Sequence, residues 1–252
     1  MSRELRGILS AIVTPFTADG SKVDQAGLRD LVEANIQGGV HGIISCGSTG
    51  EFPSLSTEER KRVTEIVVDQ ARGRVPVVPQ TGSDSTTLTI DLSRHAEKVG
   101  AEAVMVLPPY SEPLGLDDVY GYYKDISNAI SIPIMVFNYP YSTGVNLKPS
   151  FVARMAREIE NVKYVKESSG DLAQVSELLY EYGDVITVFN GWGKILYPSL
   201  VLGCKGLLSG SGSVIADLQA ALFLAVQKND LAAARGLNDR IYPLASVFYA
   251  QP

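Results

Sequence analysis

Short, continuous apolar runs recur about every 25–35 residues along this chain, each followed by an amphipathic stretch of helical length. They are ILSAIVTPF (8–16), GIISCG (42–47), VPVVPQTG (75–82), AEAVMVLPPY (101–110), IPIMVFNYP (132–140), VKYVKES (162–168), VITVFNG (185–191) and KGLLSGSG (205–212). A strand with one wet face alternates apolar and polar residues, and these do not. They must be covered on both sides, as the strands of a parallel sheet are by their crossover helices. Eight such units in order predict an α/β fold, a (β/α)8 TIM barrel. A doubly wound open sheet is the alternative, but no GxGxxG follows the first run.

The intervening segments carry helix signals. VDQAGLRDLVEANIQGG has Asp24 near its start and Gly38-Gly39 at its end, and STEERKRVTEIVVDQARG pairs Ser56 with Glu59 as a capping box. After Ser213 the chain reads as purely helical to its end, a region expected to pack outside the barrel. The expected division is therefore a barrel over 1–213 and an additional C-terminal helical region over 214–252. No low-complexity linker separates the two.

With 252 residues, 45% of them hydrophobic, the chain can bury a large core, and a single α/β barrel commonly fills about that length. The net charge of −6 favours neither nucleic acid nor an anionic membrane as partner. No apolar run is long enough to span a bilayer, and MSRELRG does not open a signal peptide. Cys46 and Cys204 have no paired spacing and read as reduced, buried residues of a cytoplasmic protein. His41 and His95 are too few and too separated for a histidine-rich metal site, and both read as structural. No metal and no cofactor are expected.

In a barrel of this kind the reactive groups sit at the carboxyl ends of the strands. Here those ends supply Thr14-Pro15, Gly47-Ser48-Thr49-Gly50-Glu51, Tyr110, Phe137-Asn138-Tyr139-Pro140, Lys166-Glu167, Gly191 and Ser209. The set holds no carboxylate pair, no Ser/His/Asp group and no metal cluster. It does hold a lysine, Lys166, where the apolar run YVKESSGD breaks into a polar turn. An ammonium at the end of a buried strand must pair or lose its proton, and a neutral amine is a nucleophile for carbonyl carbon. The bland reading is a lysine that ends a strand and reaches solvent. The chemistry that fits is Schiff-base formation, the iminium acting as electron sink.

The GSTGE turn supplies backbone N–H groups and the hydroxyls of Ser48 and Thr49, a cradle suited to a carboxylate or phosphate. Gly/Ser turns are common connectors, and this one gains weight from sharing a barrel mouth with Lys166. A second such loop, SGSGS (209–213), lacks a basic residue, and a helix start alone explains its glycines.

GSTGE with FPSLSTEER after it, the FNYP segment and above all YVKESSGD resemble the dihydrodipicolinate synthase and N-acetylneuraminate lyase superfamily. These are class I, pyruvate-dependent aldolases. The likeness runs from AIVTPF to the chain end, with the motifs in the family's order and spacing. It implies that Lys166 is the Schiff-base lysine and that Ser48 and Thr49, with Gly47, hold the pyruvate carboxylate. It also implies that Gly191 and Leu208 line the pyruvate pocket. Tyr110, in LPPYSEP, matches a tyrosine that such proteins insert into a neighbouring subunit's site, which implies a homo-oligomer, a dimer or tetramer.

Two positions depart from the pattern. Phe137 stands where the superfamily usually has a tyrosine whose hydroxyl relays protons, a role worth about 10²–10⁴-fold. Tyr139 is the first choice to replace it, with Tyr141, Ser48 or a water behind it. Ser142 stands where similar synthases carry an arginine for the second substrate's carboxylate. The NYP spelling and the missing arginine look closer to 2-keto-3-deoxy sugar-acid aldolases. The chain also stops short of the family's usual length, so the helical region reads as incomplete. The reading is a lyase joining or splitting pyruvate and an aldehyde, on a 2-keto-3-deoxy sugar acid or similar 2-keto acid. A 4-hydroxy-tetrahydrodipicolinate (dihydrodipicolinate) synthase or keto-acid dehydratase is the alternative, and a catalytically weak keto-acid-binding protein is the reading from another class.

Overall fold

The computed structural model describes residues 4–248. Its strands are β1 (Gly7–Ala11), β2 (Gly42–Ile44), β3 (Val104–Val106), β4 (Ile134–Asn138), β5 (Val162–Glu167), β6 (Thr187–Asn190) and β7 (Gly206–Ser209). Helices α1 (Gln25–Gln37), α2 (Thr57–Ala71), α3 (Thr86–Val99), α4 (Leu116–Ser127), α5 (Pro140–Thr143) and α6 (Pro149–Glu158) interleave with the first five. They are followed by α7 (Leu172–Tyr182), α8 (Leu196–Leu202), α9 (Ala216–Gln227) and α10 (Leu231–Val247). All strand pairs are parallel, in the order β2-β1-β7-β6-β5-β4-β3.

Both faces of this sheet are buried, for the reason the unbroken apolar runs suggested. Met105, Met135, Phe137, Tyr164, Phe189 and Leu208 belong to one core cluster; Val104, Val106, Ile134, Val136, Val165 and Val188 belong to a second, shared with the helices. Alternate residues of one strand feed opposite clusters because successive side chains point to opposite faces.

The expected strand at 75–82 differs. Residues 75–81 make only isolated bridges, Val77 with Ile43 and Gln80 with Met105. Pro76 and Pro79 have no N–H to give, so a continuous ladder cannot form there. Backbone hydrogen bonds still run through the segment: Ile43 N donates to Pro76 O (2.9 Å) and Val78 N to Ile43 O (2.9 Å). On its other side Met105 N donates to Pro79 O (2.9 Å) and Thr81 N to Met105 O (2.9 Å).

The helix boundaries follow their caps. Asp24 caps α1 by accepting from Ala26 and Gly27 N–H, and Ser56 and Glu59 form the reciprocal capping box of α2. The C-terminal run is two helices, broken where Asn229 takes a left-handed φ of 58°. α9 packs against β1, and α10 packs on α8 and α9. Phe248, just past α10, lines the cavity at the strand ends. Among the described residues no helix is long and apolar enough to cross a membrane.

Candidate active site

Lys166 is buried near the end of β5, in register with Phe137 of β4 on one side and Phe189 of β6 on the other. Its Nζ stands 3.7 Å from the centroid of the Phe137 ring. Among the described residues no hydrogen-bond acceptor and no carboxylate reaches that nitrogen. Burial alone brings the amine down from 10.5 to about 7. The ring face beneath it favours the ammonium, which opposes this trend but does not replace water.

The next residue is treated in the opposite way. Glu167 is fully buried and points away from the mouth, accepting hydrogen bonds from Asn138 Nδ2 (2.7 Å), Gln174 Nε2 (2.9 Å) and Ser169 N (2.6 Å). Asn146 closes this network by accepting from both Asn138 Nδ2 (3.0 Å) and Gln174 Nε2 (3.1 Å). The Asn138–Glu167 bond ties β4 to β5 one residue beyond the Phe137–Lys166 pair. It therefore fixes the register that lays the ring under the amine.

Around Lys166 opens a cavity of about 390 Å³, lined among others by Ser48, Thr49, Phe137, Tyr139, Gly191 and Leu208. Ser48 and Thr49 lie on a loop held by Gly50 N and Phe52 N donating to Gly47 O, and by Thr14 Oγ1 donating to Gly50 O (2.8 Å). Cys46 and Glu51 flank it with left-handed φ values of 53° and 55°, strain of the kind held at functional loops. Gly210 lets this loop close on β7, since a Cβ there would stand 2.5 Å from Thr49 Oγ1. Gly191 is required for the same kind of reason. A Cβ on it would meet Ser168 Oγ at 2.0 Å and Lys166 Cε at 2.7 Å.

Not every expected residue gathers here. Gly47 shapes the loop but does not line the cavity. Tyr110 stands apart, edge-on to Phe52 at 5.4 Å, with its N–H donating to Asp84. Tyr139 does line the cavity, its ring stacked parallel on Phe137 at 5.5 Å, and burial raises its phenol above the ordinary range. Ser142 is absent from the lining and brings no cation; Lys166 is the only basic residue among the lining side chains. His41 accepts from Ile8 N at 3.2 Å and packs on Phe223, and His95 faces Glu65. Cys46 and Cys204 are buried free thiols, pushed up by burial to about 11 and about 12.

The sequence reading missed Ser168, Trp192 and Phe248, all of which line the cavity, as does Ser211 of the SGSGS loop. Ser168 was findable, since it follows Lys166 by two. Trp192 and Phe248 were not, because their place depends on how a turn and the last helix fold back over the mouth.

A parallel β/α sheet that ends in a buried, unpartnered, low-pKa lysine over a hydroxyl-lined cavity defines a class, the enzymes that capture carbonyl substrates on an amine. The chain belongs to the Dihydrodipicolinate synthetase family, whose profile matches residues 4–252. It is accordingly an enzyme of the class I, Schiff-base, pyruvate-dependent aldolases and lyases. It is 40% identical over 247 residues to the 4-hydroxy-tetrahydrodipicolinate synthase of Thermomicrobium roseum, covering 98% of this chain and 81% of that one. The enzyme of the same name from Syntrophus aciditrophicus is 38% identical, with 98% and 84% covered. Among solved structures, the dihydrodipicolinate synthase of Aquifex aeolicus superposes with a TM-score of 0.93 at 30% identity, covering 98% of this chain and 84% of that one. A prophage protein of the dihydrodipicolinic acid synthase family from E. coli K12, solved with pyruvate, gives 0.93 at 30%, with 98% and 83% covered. These names favour the synthase reading over the sugar-acid aldolase one.

Proposed function

We propose that Lys166 Nζ adds to the ketone carbon of pyruvate and that the resulting iminium drives the making or breaking of one C–C bond to an aldehyde. The observation that carries this is the amine itself, buried, without a hydrogen-bond partner, and lowered to about 7, so that about half of it is neutral at that pH. In this reading Ser48 and Thr49, whose hydroxyls carry no hydrogen bond among the described residues, hold the pyruvate carboxylate with the backbone of the Gly47 turn. Gly191 and Leu208 form the wall behind the methyl group. Tyr110 belongs to the site of a neighbouring subunit in a homo-oligomer. We read β1–β7 together with residues 75–81 as a closed (β/α)8 barrel over 1–213, with 214–252 as a helical region packed on it.

For the reaction, the relatives' names put 4-hydroxy-tetrahydrodipicolinate synthase first. A second reading has its own support: with no cation besides Lys166 in the described lining, an uncharged aldehyde, such as that released from a 2-keto-3-deoxy sugar acid, fits the acceptor half. The deciding experiment measures formation of 4-hydroxy-tetrahydrodipicolinate from pyruvate against release of pyruvate from 2-keto-3-deoxy sugar acids. Borohydride with pyruvate should fix a pyruvyl group on the peptide containing YVKESSGD. Labelling of another lysine would overturn the mechanism, and labelling without turnover on either panel would leave a keto-acid-binding protein.

A further inference from the structure

We propose that Ser168 Oγ is the proton-relaying hydroxyl of this site, doing at the carbinolamine what Phe137 has no oxygen to do. The inference rests on the Lys166 imine argued above. Ser168 is buried at 2% exposure, lines the same cavity as Lys166, and its Oγ has no hydrogen-bond partner. Leaving a buried hydroxyl unsatisfied is costly, and a native structure that retains one beside an open cavity marks where a ligand supplies the partner.

Of the other hydroxyls around the cavity, two are already paired and the rest are placed differently. Ser209 Oγ and Ser211 Oγ pair with each other at 2.8 Å, and Gln219 Nε2 donates to Ser211 Oγ at 2.9 Å. Tyr139 lies flat against Phe137. Ser48 and Thr49 sit on the loop after β2, which is not a neighbour of β5 in the sheet. Ser168 instead lies just past the end of β5, two residues after Lys166, and a Gly191 Cβ would touch both its Oγ (2.0 Å) and Lys166 Cε (2.7 Å). That glycine leaves the lysine stem and the serine hydroxyl facing one common space. The backbone there is pinned as well, with Ser168 N donating to Asn138 O (2.9 Å) and Gly191 N to Glu167 O (2.7 Å).

The steps balance with one water released and one solvent proton taken up. The neutral amine adds to the ketone carbon, giving a nitrogen with a positive charge and an alkoxide. Ser168 accepts a proton from that nitrogen while passing its own to the oxygen, which leaves a neutral carbinolamine and an unchanged serine. A second pass moves the remaining N–H proton to the carbinolamine hydroxyl. This departs as water as the nitrogen lone pair forms the C=N bond, and the imine takes one proton from solvent to become the iminium.

The test uses pyruvate alone, so that no aldehyde contact enters. The rate of imine formation is followed by rapid mixing and borohydride trapping on the full chain. Ser168→Ala should slow it by about 10²-fold while the final adduct still forms, Ser168→Thr should stay within about tenfold, and Phe137→Tyr placed in the Ser168→Ala protein should recover at least about tenfold. Trapping at the parent rate in Ser168→Ala overturns the proposal. Slowing without rescue by Phe137→Tyr, accompanied by a lowered unfolding midpoint, assigns Ser168 a packing role and also overturns it. If the parent itself traps no pyruvate on Lys166, the imine reading falls first and this inference falls with it.

Discussion

Among the described residues two basic side chains are buried, Lys166 and Arg60, and they are handled in opposite ways. Lys166 stands at the end of β5 over the Phe137 ring and is given no acceptor. Arg60 lies beneath the loop after β2, over the Phe52 ring at 5.2 Å, and its Nη2 donates to Gln80 O (2.9 Å), Gln80 Oε1 (3.2 Å) and Gly82 O (3.1 Å). Burial lowers both, but an arginine starts so high that it stays charged, and its carbonyl acceptors stand in for water. The aromatic face is common to the two sites, so it does not set their chemistry. The acceptors do. A buried cation with them is a structural tie, and a buried amine without them becomes a nucleophile.

The largest test of that contrast is to give position 166 the other cation. Lys166→Arg and Lys166→Ala should both abolish the pyruvyl adduct in mass spectrometry and bring turnover below detection, since a guanidinium stays protonated and alanine has no nucleophile. An adduct surviving in either would break the comparison. Next in size is Gly191→Ala, which drives a methyl group into Ser168 Oγ and the Lys166 stem. Displacing reacting groups by about 1 Å costs on the order of 10²-fold, so kcat with pyruvate should fall by that factor.

The third test reads the proton itself. The folded pKa of Lys166, about 7, lies below its ordinary 10.5, so between those values the unfolded chain binds more protons. Stability should therefore rise with pH across that window, and the full cost of burying the ammonium should be present below about pH 7. Relative to Lys166→Met, the parent should gain roughly 3 kcal/mol between pH 7 and 9.5 in urea unfolding. The rate of imine formation should climb through about pH 7 and then level off. A limb near 10 would show the amine to be an ordinary lysine.

Arg60→Met leaves three oxygen acceptors without their donor and should destabilise the protein by about 3 kcal/mol in the same unfolding assay. It should leave the pH limb of imine formation unmoved, because Arg60 does not touch Lys166. The smallest effect belongs to Phe137→Leu, which removes a ring face worth about 2 kcal/mol to a desolvated ammonium. The pH limb should then shift downward by about one to one and a half units, and an upward shift would show that the ring does not favour the charged form.

Much of this was legible in the chain. The unbroken apolar runs announced strands buried on both sides, and the Ser56–Glu59 pair marked a helix start that the structure keeps. Lys166 could be singled out because it follows Tyr164-Val165 directly and stands where the run breaks into a polar turn. What escaped was relational. Prolines 76 and 79 were visible in the sequence, yet whether their segment pairs depends on which carbonyls its neighbours offer. Ser168 read as one more polar turn residue until Gly191 was seen to bring it against the lysine stem. Tyr110, expected in a neighbouring subunit's site, faces Phe52 within its own chain and stays out of that chain's lining.

The sequence by itself determined most of the elements, their order and the residue types available at the strand ends, because hydrophobic periodicity, caps and prolines act over a few neighbouring positions. It also determined that a phenyl ring and not a phenol stands at 137. Only the tertiary structure decided that Lys166 has no acceptor within reach while Arg60 has three, and that one hydroxyl beside the lysine is left unpaired. The physical reason is that desolvation and hydrogen-bond satisfaction belong to the space a side chain enters, and that space is built by strands far apart in the chain.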